Sequence, residues 1–425
     1  MNILTLSCWS HSIKYHLFSW GGRSLLAAGQ VKRVGLGESS ISLKVPGQDQ
    51  ITQNVGFVDH RGAIHIILET LAASRHGVGN EAGLIAAVGH RVAHGGETFC
   101  HSMVIDGQVL ATIRELQQLA PLHIAANIAG IEAAAEILPD IPQVAIFDTT
   151  FHATIPDFAY IYALPYEWYK KYGIRRYGFH GPSHLYLSRR AARLLGKPAY
   201  ACNLITIHID KGVSLCAIRG GISIDTSMGL TPLEGAVMET RSGDIDVSIL
   251  PYMMQQLNLS AQEMERILNQ KCGILGITGW NTDRRHILEA AFEGNPKCKL
   301  AIEIEAYRLK KYIGAYLAVV GPLDAVIFTT GSGEQEWFVR DLVLEGLECF
   351  GILPDRGRNR AVRSECNETL ISGDNSPIKV FVIPTNEELV FAEDVTAILS
   401  GNNCDHLKYD YSFGSADFVP HYPAE

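Results

Sequence analysis

The chain has 425 residues, of which 47% are hydrophobic and 19% charged, enough to bury real cores in two or three domains. Its formal charge of −9 argues against a general nucleic-acid or membrane-surface binder, which needs an excess of Lys and Arg to neutralise phosphates. The nine cysteines are odd in number and form no CxxC pair, which predicts reduced, mostly structural thiols of a cytoplasmic protein rather than a zinc or redox centre.

The first strand starts by Ile3 with no basic flank or small-residue cleavage site before it, so no secretory signal is expected. ILTLSCWSHSIKYHLF reads as a hairpin, two apolar strands about a short polar turn. LIAAVGHRVAHGGE is a strand that ends in Arg91 and His94, and QVAIFDTTFH is one that ends in Asp148 and His152. The pattern SHLYLSRRAARLL predicts a helix capped by Ser183 and stopped at Gly196. LITIHIDKGVSLCAI is a second hairpin with Asp210, Lys211 and Gly212 at its tip, residue types that plain turn chemistry also favours.

AYLAVVGPLDAVIF is the most apolar later stretch, but Pro322 and Asp324 break it short of a membrane span. DAVIFTTGSGE ends in a glycine turn, and KVFVIPTNEE ends in Asn386 and Glu387. Thr385 or Asn386 opens the helix EELVFAEDVTAIL, and the helix dipole alone would account for Glu387 and Glu388 in its first turn. The stretch from residue 401 has no period and predicts a loose tail or surface strap.

Alternating strands and helices predict an α/β architecture. In open α/β sheets ligands sit at the carboxyl ends of strands, so four strands ending in charged or glycine-rich segments point to one cleft. The likeness of the two hairpins permits a duplicated domain pair.

The strings GHRVAHGGE (89–97), VAIFDTTFH (144–152), YGIRRYGFHGPSH (172–184), DTSMGLTPLEG (225–235), TRSGDID (240–246) and PTNEEL (384–389) resemble the acetate kinase family, propionate kinases included. The resemblance runs in order from the first strand to about residue 400. It implies two duplicated ribonuclease H-like domains of the actin, sugar kinase and Hsp70 type, with a cleft between them. The expected boundaries are 1–150 plus 385–400 for the first domain, 151–384 for the second and 401–425 for the tail. The implied activity is Mg2+-dependent transfer of the γ-phosphoryl group of ATP to acetate, reversibly, with ADP and an acyl phosphate as products. A homodimer formed through the second domain is also implied, with neither nucleic acid nor membrane as partner.

The chemistry explains the residue types. A carboxylate is already ionised at neutral pH and needs no strong base, so the enzyme has only to align two anions and neutralise charge on the transferred group. By resemblance, Arg91 and Arg241 are the active-site arginines, whose planar forks suit carboxylate or phosphoryl oxygens. His180 would stabilise the transferring group. Asp148 and Glu387 would hold the metal, which prefers oxygen ligands. Ala93, Leu122, His123, Phe179 and Pro232 would line the acceptor pocket. Ala93 stands where acetate kinases usually carry Val, leaving room for one more methylene, worth about 1 kcal/mol at most, so propionate should be tolerated. Ser10, Ser12, Lys14, His208, Gly212, Asp283, Arg285, Gly331 and Gly333 would bind the nucleotide.

The donor side departs from the family pattern. The first phosphate turn, normally NxGSSSxK, is SCWSHSIK, with Trp9 in place of a glycine whose backbone can approach phosphate closely. The second, normally HLGNG, is HIDKG, and an acid about 5 Å from a phosphate costs on the order of 3 kcal/mol at an effective dielectric near 20. Glu239 replaces a glycine, Pro182 replaces a threonine, and GIGEN becomes GSGEQ at 331–335. These changes leave open another phosphoryl donor such as pyrophosphate, or a catalytically weak paralogue that binds acyl phosphate or nucleotide.

Overall fold

A computed structural model describes residues 1–73, 85–280, 283–362, 367–402 and 404–420, apart from the side chains of Leu122 and Ser332. The chain forms two compact units, Met1–Phe151 with Asn386–Ser412 and His152–Thr385 with Phe413–Glu425. The helices that bear on function are α1 (His60–Ala72), α2 (Pro121–Ile137), α3 (Gly181–Leu194), α4 (Pro296–Val320) and α5 (Glu387–Leu399).

In the first unit the strands are β1 (Asn2–Trp9), β2 (Ser12–Ser19), β3 (Ser24–Lys32), β4 (Ser39–Lys44), β5 (Ile51–Gly56), β6 (Ile85–Val92), β7 (Met103–Val104) and β8 (Gln143–Phe147). They lie in the order β5-β4-β3-β2-β1-β6-β8-β7. Strand β1 is covered on both faces, and its period of two divides its side chains between two cores. Leu4, Leu6 and Cys8 pack with Ile64 and Ile67 of α1. Ile3 packs with Ala87, Val144 and Ile146 against Phe391, Ala392 and Val395 of α5. That apolar face of α5 is why the chain returns to this unit.

The second unit has β9 (Leu204–Ile209), β10 (Val213–Arg219), β11 (Ile222–Thr226), β12 (Ala325–Thr329), β13 (Thr369–Leu370) and β14 (Lys379–Val382) in the order β11-β10-β9-β12-β14-β13. Helix α4 buries Ala301, Leu309, Ile313 and Val320 in its core. No helix among the described residues is long and apolar enough to cross a membrane.

The two sheets share a plan. Beside the strand β1 or β9, an antiparallel meander lies on one side, extended by β4 and β5 in the first sheet, and two parallel strands followed by a short antiparallel edge strand lie on the other. This is the duplicated ribonuclease H-like α/β fold, and the two hairpins legible in the sequence are the equivalent β1–β2 and β9–β10.

One local expectation needs correction. Helix α3 starts at Gly181, with Pro182 in its first turn and His180 as N-cap at φ 58°. Proline's fixed φ suits that first turn, and Ser183 inside it turns its Oγ to within 2.9 Å of His208 Nδ1 instead of capping. Of the two expectations for the segment after 401, its described residues fit a tied strap rather than a loose tail. Cys404, Tyr411 and Phe413 are buried, and the Tyr411 hydroxyl donates to Asp394 of α5 at 2.8 Å.

Candidate active site

In the first unit the strand ends gather charge. Cross-strand register puts Lys14 of β2, Ser7 of β1, Arg91 of β6 and Ile146 of β8 in one row. Asp148 follows one residue past the end of β8, and the Arg91 guanidinium donates to its carboxylate. Trp9 closes β1, its indole centre 5.4 Å from the Arg91 guanidinium carbon and 5.9 Å from Lys14 Nζ. His60 Nε2 holds the Trp9 carbonyl at 3.0 Å. Ala93 is buried, and its N–H donates to Asn127 Oδ1 of α2 while Asn127 donates to the Cys8 carbonyl. His123 also lies on α2. The Leu122 side chain, expected in the acceptor pocket, lies outside the described residues.

Asn386 caps α5 by accepting from the Leu389 N–H, which places Glu387 and Glu388 in the first turn. The dipole treats them alike, yet they differ. Burial, with Glu388 and Asp148 as further negative neighbours, pushes Glu387 up to about 8. Burial works against the charge of Glu388 too, but His16 and Lys14 hold it below the usual carboxylate range. Asp148 is pushed up by burial against the pull of Arg91. No group of three or more His, Cys, Asp or Glu side chains among the described residues could hold a metal. Two buried carboxyls that repel one another nevertheless fit Mg2+, which commonly takes one or two carboxylates and completes its shell with water and phosphate oxygens.

In the second unit the tip of the β9–β10 hairpin meets three other segments. A Cβ on Gly212 would stand 3.1 Å from Arg241 Nη1, 3.2 Å from His180 Cε1 and 3.4 Å from His180 Nε2. Gly212 has no left-handed φ, so its role is to leave that space open. A Cβ on Gly331, in the turn after β12, would stand 3.1 Å from the Ile209 carbonyl and 3.4 Å from Asp210 Oδ1. Gly333 follows in the same short helix. His180 holds a left-handed backbone, the kind of strain that persists where surrounding structure fixes it. Its ring stacks on His208 with centroids 4.1 Å apart. Arg241 Nη1 lies 3.4 Å from the Pro232 carbonyl. Phe179 is buried in this unit's main core.

The acid at the hairpin tip has company. Arg284 donates to the Asp210 carbonyl at 2.7 Å and to Glu305 at 2.5 Å, and lies 3.9 Å from Glu239. Burial penalises its charge, but Glu305, Glu239 and Asp210 more than offset this. Burial pushes Glu239 above the usual carboxylate range, against the pull of Arg284 and Lys211. The substitutions at 210, 211 and 239 therefore form one cluster of mixed charge about Arg284. Of the pair expected near adenine, Asp283 accepts from the Arg285 N–H at 2.9 Å as a helix cap. The Arg285 side chain is 73% exposed, whereas Arg284 is 9% exposed.

The acetokinase family model matches residues 2–393. The chain belongs to the acetokinase family. It is 58% identical to an acetate kinase of Geobacter metallireducens over 99% of its own length and 100% of that protein. The crystal structure of Porphyromonas gingivalis acetate kinase superposes with a TM-score of 0.88 at 40% identity, covering 94% of this chain and 99% of that one. A propionate kinase from Francisella tularensis gives 0.86 at 38% identity, covering 92% and 98%.

The motif strings of this chain leave out several neighbours of the site residues. Arg284 was overlooked for the adjacent Arg285, and Asn127 for the apolar face of α2. His184, Thr206 and Ser214 were also missed. His180, Ser183 and His184 recur at i, i+3 and i+4, one helix face, and Thr206 and His208 share a face of β9. A polar helix stripe and a polar strand face within apolar segments were a readable signal.

Proposed function

We propose that the chain is an acetate kinase, transferring the γ-phosphoryl group of ATP to acetate, with propionate tolerated, to give acyl phosphate and ADP reversibly. The acetate carboxylate attacks phosphorus as it stands, because it is ionised at neutral pH. Arg91, held by Asp148 and backed by Trp9, neutralises anionic oxygens and orients the nucleophile. Arg241 and His180, facing the space kept open by Gly212, take the oxygens of the transferring group, where charge builds in the transition state. His208 and the glycine backbones at 212, 331 and 333 cradle the donor phosphates, with Ser10, Ser12 and Lys14 on the other hairpin, while Asp283 and Arg285 flank the base. Ala93, His123, Phe179 and Pro232 shape the acceptor pocket, as the family resemblance implies. Asp148 and Glu387 would hold Mg2+, which would supply positive charge to the phosphate oxygens.

The observation that supports this most is the convergence of Arg241 Nη1 and His180 Nε2 on one point beside Gly212, two groups suited to an anion. The altered donor turns do not favour another donor, since the cations Arg284 and Lys211 lie among the acids Asp210 and Glu239, and Trp9 leans on Arg91 and Lys14. A homodimer through the second unit is supported by its exposed Phe158, Tyr166, Trp168 and Tyr172. A cytoplasmic location is supported by the free thiols of all described cysteines.

The test is a hydroxylamine trap for acyl phosphate, run with acetate or propionate and with ATP or pyrophosphate. Hydroxamate from acetate and ATP is expected, and Arg91→Ala or Arg241→Ala should abolish it. Product with pyrophosphate alone, or none in any combination, would overturn the reading.

A further inference from the structure

Behind His180 lies a line of buried polar groups that the transfer chemistry does not itself touch. His180 Nδ1 is 2.8 Å from Ser214 Oγ. The same oxygen is 2.9 Å from His184 Nε2, and His184 Nδ1 is 2.7 Å from Thr206 Oγ1. Thr206, His184 and Ser214 are fully or almost fully buried. Thr206 and Ser214 come from neighbouring strands β9 and β10, while His184 lies one turn beyond His180 on α3.

Proton counting constrains this line. Ser214 has one hydroxyl proton, so if it donates to one imidazole it receives from the other. Burial, helped by His152 and His208, pushes His184 well below the usual histidine range. It is therefore neutral and carries a proton on one nitrogen only. With His180 neutral, two polarities remain. In one, His184 donates from Nδ1 to Thr206, Ser214 donates to His184, and His180 spends its N–H on Ser214, presenting a lone pair at Nε2. In the other, Thr206 donates to His184 Nδ1, His184 Nε2–H donates to Ser214, Ser214 donates to His180 Nδ1, and His180 carries its proton on Nε2. A phosphoryl oxygen is an acceptor only, so a lone pair at Nε2 would repel it. Nε2 is also the His180 nitrogen near the space beside Gly212 and Arg241.

We propose that Thr206, His184 and Ser214 form a one-way hydrogen-bond relay that fixes His180 as the neutral Nε2–H donor to the transferring phosphoryl group. The three are positioning residues, and no proton moves along the line during turnover. The relay keeps the tautomer set before substrate arrives, so the donor needs no reorganisation as charge develops. Fixing the tautomer of a working histidine through its other ring nitrogen is a general role of such partners. The inference rests on the proposed kinase activity with His180 at the phosphoryl group.

The test is 15N NMR of histidine-labelled enzyme with acetyl phosphate, assigning His180 by its loss in His180→Gln. Thr206→Val, which keeps the shape and removes the hydroxyl, and Thr206→Ser, which restores the hydroxyl, are assayed alongside. The wild type should show His180 protonated at Nε2 with Nδ1 bare. Thr206→Val should average the two tautomers and lower kcat by about tenfold, with KM for acetate and ATP changed less than about twofold. Thr206→Ser should recover both signals.

A wild-type His180 protonated at Nδ1 or on both nitrogens overturns the relay, and that spectrum decides even where Thr206→Val folds poorly. Unchanged kcat and tautomer in Thr206→Val, or a loss that Thr206→Ser does not restore, overturns it too. A wild type with no kinase activity would instead remove the proposed function, so the two failures are distinct.

Discussion

The Arg91 guanidinium carbon stands 5.4 Å from the centre of the Trp9 indole. The tryptophan that replaces a phosphate-turn glycine thus buttresses the arginine proposed to hold the acceptor, with Lys14 close to the same ring. A cation–π contact of this kind contributes about 0.5 to 2 kcal/mol. Trp9→Gly should therefore raise KM for acetate by about 2- to 30-fold, and Trp9→Phe by less. Steady-state kinetics check this, and an unchanged or lowered KM in Trp9→Gly would mean that the indole obstructs rather than supports.

Gly212→Ala separates packing from fold. The glycine has no left-handed φ, so alanine fits its backbone and the melting temperature should barely move. The new methyl would stand 3.1 Å from Arg241 Nη1 and displace a phosphoryl oxygen. A fall in kcat/KM for ATP of about tenfold or more is expected. Normal turnover would place the transferring group elsewhere.

Arg284→Ala leaves Glu305, 1% exposed, as a buried acid without its guanidinium, which costs about 3 to 5 kcal/mol. It also frees the Asp210 turn. Thermal denaturation should show a large loss of stability, and KM for ATP should rise in the folded fraction. A stable variant with normal KM would remove the mixed-charge cluster from the account of the altered turn.

Asp394 gives a pH signature. Burial pushes it up to about 7, from an ordinary value near 4, and neighbouring Glu393 likewise reaches about 7. Between those values the folded state holds protons that the unfolded state has released, so these acids lower stability as pH rises from about 4 to about 7. Asp394→Asn removes one such titration. Its melting temperature relative to wild type should climb by roughly 5 °C from pH 5 to pH 8. A difference independent of pH would show that Asp394 is ionised throughout, held by Ser102 and Tyr411.

Much of this was legible because apolar strands and their charged ends are local in sequence. Arg91, Asp148 and Glu387 each sit one residue from a hydrophobic run or in a capped first turn, and the two hairpins announced the duplication. What escaped was set by partners far along the chain. Ser183 looks like a cap until Pro182 moves the helix start back to Gly181. Arg284 and Arg285 are indistinguishable until Glu305, some twenty residues on, chooses one for burial. The weight of Asp210 changes once Arg284 and Lys211 share its charge with Glu239. The final segment looks aperiodic because Tyr411 and Ser412 bind the acids of α5 rather than pairing with each other.

The central claim is that a carboxylate oxygen of the acceptor bonds directly to the γ-phosphorus of ATP. Phosphorus-31 NMR of the product made from ATP, Mg2+ and acetate labelled with 18O at both oxygens tests it most directly. The account predicts acetyl phosphate whose resonance carries the isotope shift of one 18O bonded to phosphorus. An acyl phosphate without 18O on phosphorus, or no acyl phosphate at all, would contradict it.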